Sequence, residues 1–247
     1  MRTTMYGSLA LGLILFSSAA GAVNFSVAPV HLDFAANRSA SIEVSNPSDK
    51  PLDLQIQAQT WTQGANGKDQ HDDTDALSIY PARLTLPPQG KRTVRIAPTG
   101  KSDRPATEQA YRLYITELPP PRASDKPAAE HIAVRLRFGL PVFVHQPKAS
   151  PHLEGLVVGG SNGAVDVKVS NTGSAHARLT SVTSVPEGPS QSKLDEWYLL
   201  AGSSHVYRVA VPTALCQQDH FTLRLATDNG KPTDIPVKVP RETCGRS

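Results

Sequence analysis

The chain has 247 residues, with 25 Lys and Arg against 22 Asp and Glu, and a net charge of +3 at neutral pH. Its basic residues are scattered and only 6% of its residues are aromatic, so it lacks the basic, aromatic-interleaved surface of a nucleic-acid groove. No stretch approaches roughly eighteen consecutive apolar residues, which excludes a membrane-spanning helix and leaves an expectation of a protein that does not span a membrane.

The N-terminus carries Arg2, an uncharged run from Gly7 to Phe16 and the small residues Ser17 to Ala22. This is the order of a secretory signal, with cleavage expected after Ala22 and residues 1–22 removed on export. Beyond it, short runs rich in Val, Ile, Leu and Thr alternate with clusters of Gly, Pro, Asn and Ser, and helical periodicity is missing. The pattern predicts an all-β chain. Val27 to Leu32 reads as a first strand; Ser41-Ile42-Glu43-Val44 alternates and ends in the turn Ser45-Asn46-Pro47-Ser48. Gln63 to Thr74 and Pro119 to Glu130 read as mobile loops. Within the first, His71-Asp72-Asp73-Thr74-Asp75 brings possible metal ligands close in sequence but lacks a glycine-fixed loop, so a solvated acidic run is expected and no metal.

After the break, Ile132, Val134, Leu136, Phe138 and Leu140 fall on one face of a strand that runs to Val144, with Ala133, Arg135, Arg137 and Gly139 on the other. Such a face fills either the chain's own core or a partner, because an apolar edge strand with unpaired backbone groups is a template for another chain. Pro147 and Pro151 bracket a polar linker. The second half then repeats the first: Val165 to Val169 alternates and ends in Ser170-Asn171-Thr172-Gly173, and Leu200-Ala201-Gly202 before Val206 to Val209 matches Leu86 to Gly90 before Val94-Arg95-Ile96. Two landmarks in the same order predict two immunoglobulin-like β-sandwich domains, residues 23–146 and 151–247.

Gly159-Gly160-Ser161-Asn162-Gly163 matches a nucleophile elbow, but Ala164 onward alternates as a strand where an elbow requires a helix; Asn-Gly signals a hairpin. A secreted hydrolase using Ser161 is therefore disfavoured. The histidines are dispersed without zinc-ligand spacing and read as surface or hydrogen-bonded residues. Asn37-Arg38-Ser39 is formally a glycosylation acceptor. With no catalytic constellation and no implied cofactor, the chain reads as a binding or assembly module, not an enzyme. Cys216 and Cys244 are the only cysteines. In an oxidising compartment they allow one bridge, whose loop of about 27 residues adds roughly 3 kcal/mol; two buried thiols are the alternative.

Tyr111-Arg112-Leu113-Tyr114-Ile115-Thr116-Glu117-Leu118-Pro119, the alternating strand, Pro141-Val142-Phe143-Val144, Ser45-Asn46-Pro47 and Pro81-Ala82-Arg83-Leu84 resemble the periplasmic chaperones of pilus and fimbrial assembly. The resemblance is strongest from Pro81 to Val144. It implies two immunoglobulin-like domains set as a boomerang, a periplasmic location, pilus, fimbrial or coat-like subunits as partners, and an outer-membrane usher to which they are delivered. It also implies donor-strand complementation, in which Ile132, Val134 and Leu136, continued by Phe138, fill the groove of a subunit lacking its last strand. Better-known members grip the subunit's C-terminal carboxylate with a lysine late in this strand and an arginine in the first strand. Here Pro141 stands at the lysine position and Val27 to Leu32 contains no arginine. Similar Tyr-Arg-Leu and Pro-x-Phe patterns in the divergent, archaic or alternative, branch make Arg112 the candidate anchor, with Arg135 and Arg137 as rivals. A secreted structural or adhesive protein built from the same tandem sandwiches, with the strand paired inside its own sheet, is the competing reading.

Overall fold

The computed structural model describes residues 25–64, 67–100, 107–119, 135–185, 197–212, 214–215, 218, 220–228, 230 and 232–238. Within them the regular elements are strands, arranged as two sandwiches with separate cores.

In the first sandwich, one sheet has the order β1 (Ser26–Ala28), β3 (Ala40–Ser45), β8 (Lys91–Pro98) and β6 (Leu77–Tyr80). The facing sheet runs β2 (Leu32–Ala35), β10 (Arg137–His145), β9 (Gln109–Glu117), β4 (Leu52–Gln63) and β5 (Asp69–Asp73), with β7 (Arg83–Leu86) pairing the early half of β4. Period-two alternation explains the layers. Along β4, Leu52, Leu54, Ile56 and Ala58 are buried while Asp53, Gln55, Gln57 and Gln59 lie on the other face. Ile42, Val44, Val94, Ile96, Leu113 and Ile115 complete the same core from the neighbouring strands.

The stretch expected to form one first strand forms two. Val27 pairs with β3 in one sheet, whereas Leu32 pairs parallel to Val142 of β10 in the other. Pro29 sits in the bend between them, where its missing N–H removes a ladder bond and the chain changes sheets.

The second sandwich packs β11 (Leu153–Ser161), β12 (Ala164–Asn171) and β15 (Ser204–Ala210) against β14 (Tyr198–Leu199), β13 (Ala177–Val185), β16 (His220–Thr227) and β17 (Thr233–Lys238). Ser161 ends β11 and Ala164 opens β12. Asn162 (φ 50°) and Gly163 (φ 72°) both turn left-handed between them, as a tight hairpin requires. Ser161 is therefore a hairpin residue, and Arg208 of β15 donates to its carbonyl oxygen and its hydroxyl.

The repeated Ser-Asn landmark has the same physical role in each half. Asn46, 1% exposed, donates through Nδ2 to the carbonyls of Lys50, Leu86 and Pro87, and its Oδ1 accepts from the Ser48 N–H. Asn171, also 1% exposed, donates to the carbonyls of Ala175 and Leu199, and its Oδ1 accepts from the N–H groups of His152 and Gly173. Each asparagine satisfies several backbone groups that leave the ladder where a strand turns, a requirement that neither Asp nor Leu meets.

Candidate functional site

Strand β10 is paired unequally along its two sides. Against β9 its register runs from Arg137 opposite Thr116 to Val144 opposite Gln109, but β2 covers its other side only from Val142 to His145. From Arg137 to Pro141 that second edge has no strand partner among the described residues. Leu140, Val142 and Val144 enter the first core; Leu136 and Phe138, on the same face, are partly buried against it. Leu136 is held at the strand's start, its carbonyl accepting from the Glu117 N–H. Ile132 and Val134, the first two positions of the expected donor face, lie outside the described residues, as do Cys216, Cys244 and residues 120–130 of the expected loop.

The opposite face of this sheet carries arginines on rings. The Arg137 guanidinium lies 3.8 Å from the centre of the Tyr114 ring. Tyr114 stands opposite Gly139, where an added Cβ would come within 3.0 Å of its Cε1, so the glycine makes room for the ring. Arg112, directly opposite Pro141, stacks 3.9 Å from the Trp61 ring. Asp69 Oδ2 is 3.9 Å from Arg112, too long for a hydrogen bond, and the arginine side chain is 21% exposed. Arg135 lies exposed just before the strand.

The expected loop from Gln63 to Thr74 contains a strand. Asp69–Asp73 forms β5 and pairs with the end of β4, His71 opposite Trp61. Its polar residues give no apolar alternation, so only the partner reveals it. Because successive side chains of a strand diverge, His71 and Asp72 do not converge on one point. Burial pushes the His71 pKa below its ordinary value; Asp69 opposes this and the Arg112 and Arg137 guanidiniums add to it. Its buried Nε2 has no hydrogen-bond partner.

Trp61 and Phe143, on this same face, lead into the junction between the sandwiches, where they are buried with Leu200. Phe143 stacks on His176 at 3.5 Å between ring centres, and Trp61 meets the edge of Tyr198 at 5.3 Å. Glu108 Oε1 accepts from the His176 backbone N–H at 3.0 Å and lies 2.8 Å from His176 Nδ1. Gln63 spans the junction: its Nε2 donates to Tyr198 O (2.8 Å), and its Oε1 accepts from Leu200 N (3.0 Å) and Ser203 Oγ (2.7 Å). Burial pushes the Tyr198 phenol above its ordinary pKa, against the pull of the Arg178 and Arg112 guanidiniums. A cavity of about 290 Å³ lies alongside, lined by Trp61, Gln63, Glu108, Tyr111, Leu200 and Ser203 among others. The junction residues Gln63, Glu108, His176 and Tyr198 have no signal in the sequence, because their partners are distant along the chain.

Residues 24–150 match the sequence model of the pili and flagellar-assembly chaperones, PapD N-terminal domain. Among solved structures the chain is similar to that of the CsuC–CsuE chaperone–tip adhesion subunit pre-assembly complex from the archaic chaperone-usher Csu pili of Acinetobacter baumannii. That match has 18% identity and a TM-score of 0.62 and covers 86% of this chain and 98% of that one. The class 5 fimbriae chaperone CfaA matches at 15% identity and TM-score 0.61 over 88% and 100% of the two chains. The Salmonella enterica SafA pilin–SafB chaperone complex matches at 18% and 0.57 over 87% and 96%. At these identities the likeness is one of fold, that of the two-domain chaperones. No curated protein matches the chain.

Proposed function

Because the chain belongs to the family of pili and flagellar-assembly chaperones, whose members assist assembly and are not enzymes, we propose that it caps pilus or fimbrial subunits by donor-strand complementation. In this reading it works in the periplasm after loss of residues 1–22 and passes its cargo to an outer-membrane usher. The observation that carries the reading is the one-sided pairing of β10 from Arg137 to Pro141. A strand edge left open beside an apolar row is a template for strand addition, and the row Ile132, Val134, Leu136 and Phe138 supplies the side chains. Three aliphatic side chains moved from water into a groove contribute at most roughly 5 to 9 kcal/mol before association costs, the Leu136 share being reduced by its existing contact with the first core; that is enough for a stable complex that still exchanges.

Arg112 is the proposed anchor for an anionic end of the added strand. It stands on β9 opposite Pro141, one strand in from the point where β2 closes the edge of β10 and where a strand added along the open stretch is stopped. Its guanidinium is already oriented by Trp61 and only loosely engaged by Asp69. Arg137 likewise stacks on a ring, Tyr114, but stands at the start of the open stretch, away from the point where β2 closes it, and Arg135 precedes the strand. The two structural units are proposed to divide at residues 146–151, and Cys216 and Cys244 to form a bridge. Usher contact needs a surface that stays free while the edge is occupied. The groove lined by Tyr80, Arg83, Arg92 and Arg95, at the other lateral side of the first sandwich from β10, offers one.

The test is co-expression with a subunit that is degraded when alone. Val134→Asp and Leu136→Asp leave the chaperone folded and abolish protection of the subunit. Continued protection by both folded variants contradicts donor-strand capture.

A further inference from the structure

The rings and guanidiniums of the site do not stop at the first sandwich. Arg137 stacks on Tyr114; Tyr114 meets the edge of His71 at 6.3 Å; His71 stacks on Trp61 at 6.3 Å; and Trp61 carries Arg112 on one side and contacts Tyr198 on another. Tyr198 belongs to the second sandwich, where Arg178 lies 5.9 Å from its ring centre and 5.2 Å from that of Trp197. One unbroken ladder therefore runs from Arg137, in the half-open stretch of β10, over β9 and through the buried Trp61 across the junction to Trp197. Its far end is exposed: Trp197 is 53% accessible, a large aromatic surface with water on one side.

The guanidiniums along this ladder hold unspent hydrogen-bonding capacity. Each offers five N–H donors in a fixed plane. Arg112 finds its nearest described carboxylate at 3.9 Å. Arg178 reaches Asp228 Oδ2 at 3.3 Å through one terminal nitrogen, and its side chain is 39% exposed. Stacking on rings removes the rotamer freedom that an arginine otherwise loses on binding, so these forks are oriented before a partner arrives. An exposed tryptophan beside an ordered arginine is also the composition of an interface hot spot.

We propose that Arg178 and Trp197 form a second capture point for the same pilus subunit: Arg178 takes a carboxylate of the subunit, and Trp197 covers the apolar surface beside it. This rests on the donor-strand reading, because continuity of the ladder with the β10 edge names the occupant. The second sandwich then binds cargo directly and does more than brace the first.

The chain's two tryptophans make the test direct, since Trp61 is 3% exposed and Trp197 dominates quenching by iodide or acrylamide. The probe is the pilus subunit that copurifies with the tagged chain, identified by mass spectrometry and re-bound at low and high salt. The expected results are protection of Trp197 from quencher in the complex, and roughly tenfold weaker binding for Arg178→Ala and for Trp197→Ala. Arg178→Ala also loses part of the salt dependence. Unfolding midpoints and Trp61 emission report that each variant remains folded. Binding that both variants leave unchanged, with Trp197 still open to quencher, overturns the second capture point and leaves the donor strand intact. If Leu136→Asp binds the subunit as well as the parent does, donor-strand capture itself fails, and this inference with it. Repeating the titration with the subunit's last residue amidated separates a terminal carboxylate, whose loss mimics Arg178→Ala, from an acidic side chain, for which amidation changes nothing.

Discussion

Replacing Gln63 with alanine is expected to loosen the junction without unfolding either sandwich. Three of its hydrogen bonds cross from β4 to the second sandwich: to Tyr198 O at 2.8 Å, from Leu200 N at 3.0 Å and from Ser203 Oγ at 2.7 Å. At about 1 kcal/mol net each, their loss costs roughly 3 kcal/mol. The adjoining cavity admits water that re-satisfies part of the exposed backbone, so about 2 kcal/mol is the expected net effect. In a Trp197→Phe background Trp61 is the sole tryptophan and reports the junction alone. With a urea slope of about 2 kcal/mol per molar, Gln63→Ala lowers the midpoint of the Trp61 transition by about 1 M. Gln63→Glu falls between the two, because its carboxylate still accepts from Leu200 and Ser203 but cannot donate to Tyr198 and faces Asp69. A Trp61 midpoint unchanged within about 0.2 M in Gln63→Ala, with small-angle scattering identical to the parent, refutes the assignment of Gln63 as the junction's main polar tie.

Asn171→Ala strands the carbonyls of Ala175 and Leu199 and the N–H groups of His152 and Gly173, and is expected to cost about 2 to 4 kcal/mol in urea unfolding of the second sandwich; Asn46→Ala has a like effect on the first. His71 is held neutral by burial with its pKa lowered, so the unfolded chain binds more protons below the ordinary histidine value. Its contribution to stability is complete above about pH 6.5 and is lost as pH falls through the folded pKa; His71→Gln flattens that part of the melting-temperature profile, and an unchanged profile contradicts it. Arg112→Glu places a like charge where the anionic strand end is received, so subunit affinity measured by titration falls at least about tenfold, or about 1.4 kcal/mol. Unchanged affinity moves the anchor elsewhere.

Much of the fold is legible in the sequence because it depends on local pattern. The alternation of Leu52 to Ala58 and of Val165 to Val169 reports buried faces directly, and Asn162-Gly163 reports its own turn. The paired asparagines are legible as a repeat before their hydrogen bonds are known. Strand β5 is not, since Asp69 to Asp73 buries little and owes its structure to β4. The split of the first strand turns on Pro29, whose effect depends on which sheets are available on either side. The site divides in the same way. The β10 face is readable as alternation, whereas its open edge is a property of how far β2 extends. The ladder through Trp61, Tyr198 and Arg178 joins residues more than a hundred positions apart and exists only in three dimensions.

Hydrogen–deuterium exchange along β10, compared between the free chain and its complex with a pilus subunit, tests donor-strand capture most directly. Strand addition at the open edge predicts strong slowing of exchange from Ile132 to Pro141 in the complex, while β17, at the opposite edge of its sheet from β14, exchanges unchanged. Equal exchange of that segment in the free and bound chain would show that the subunit binds elsewhere and would contradict the account.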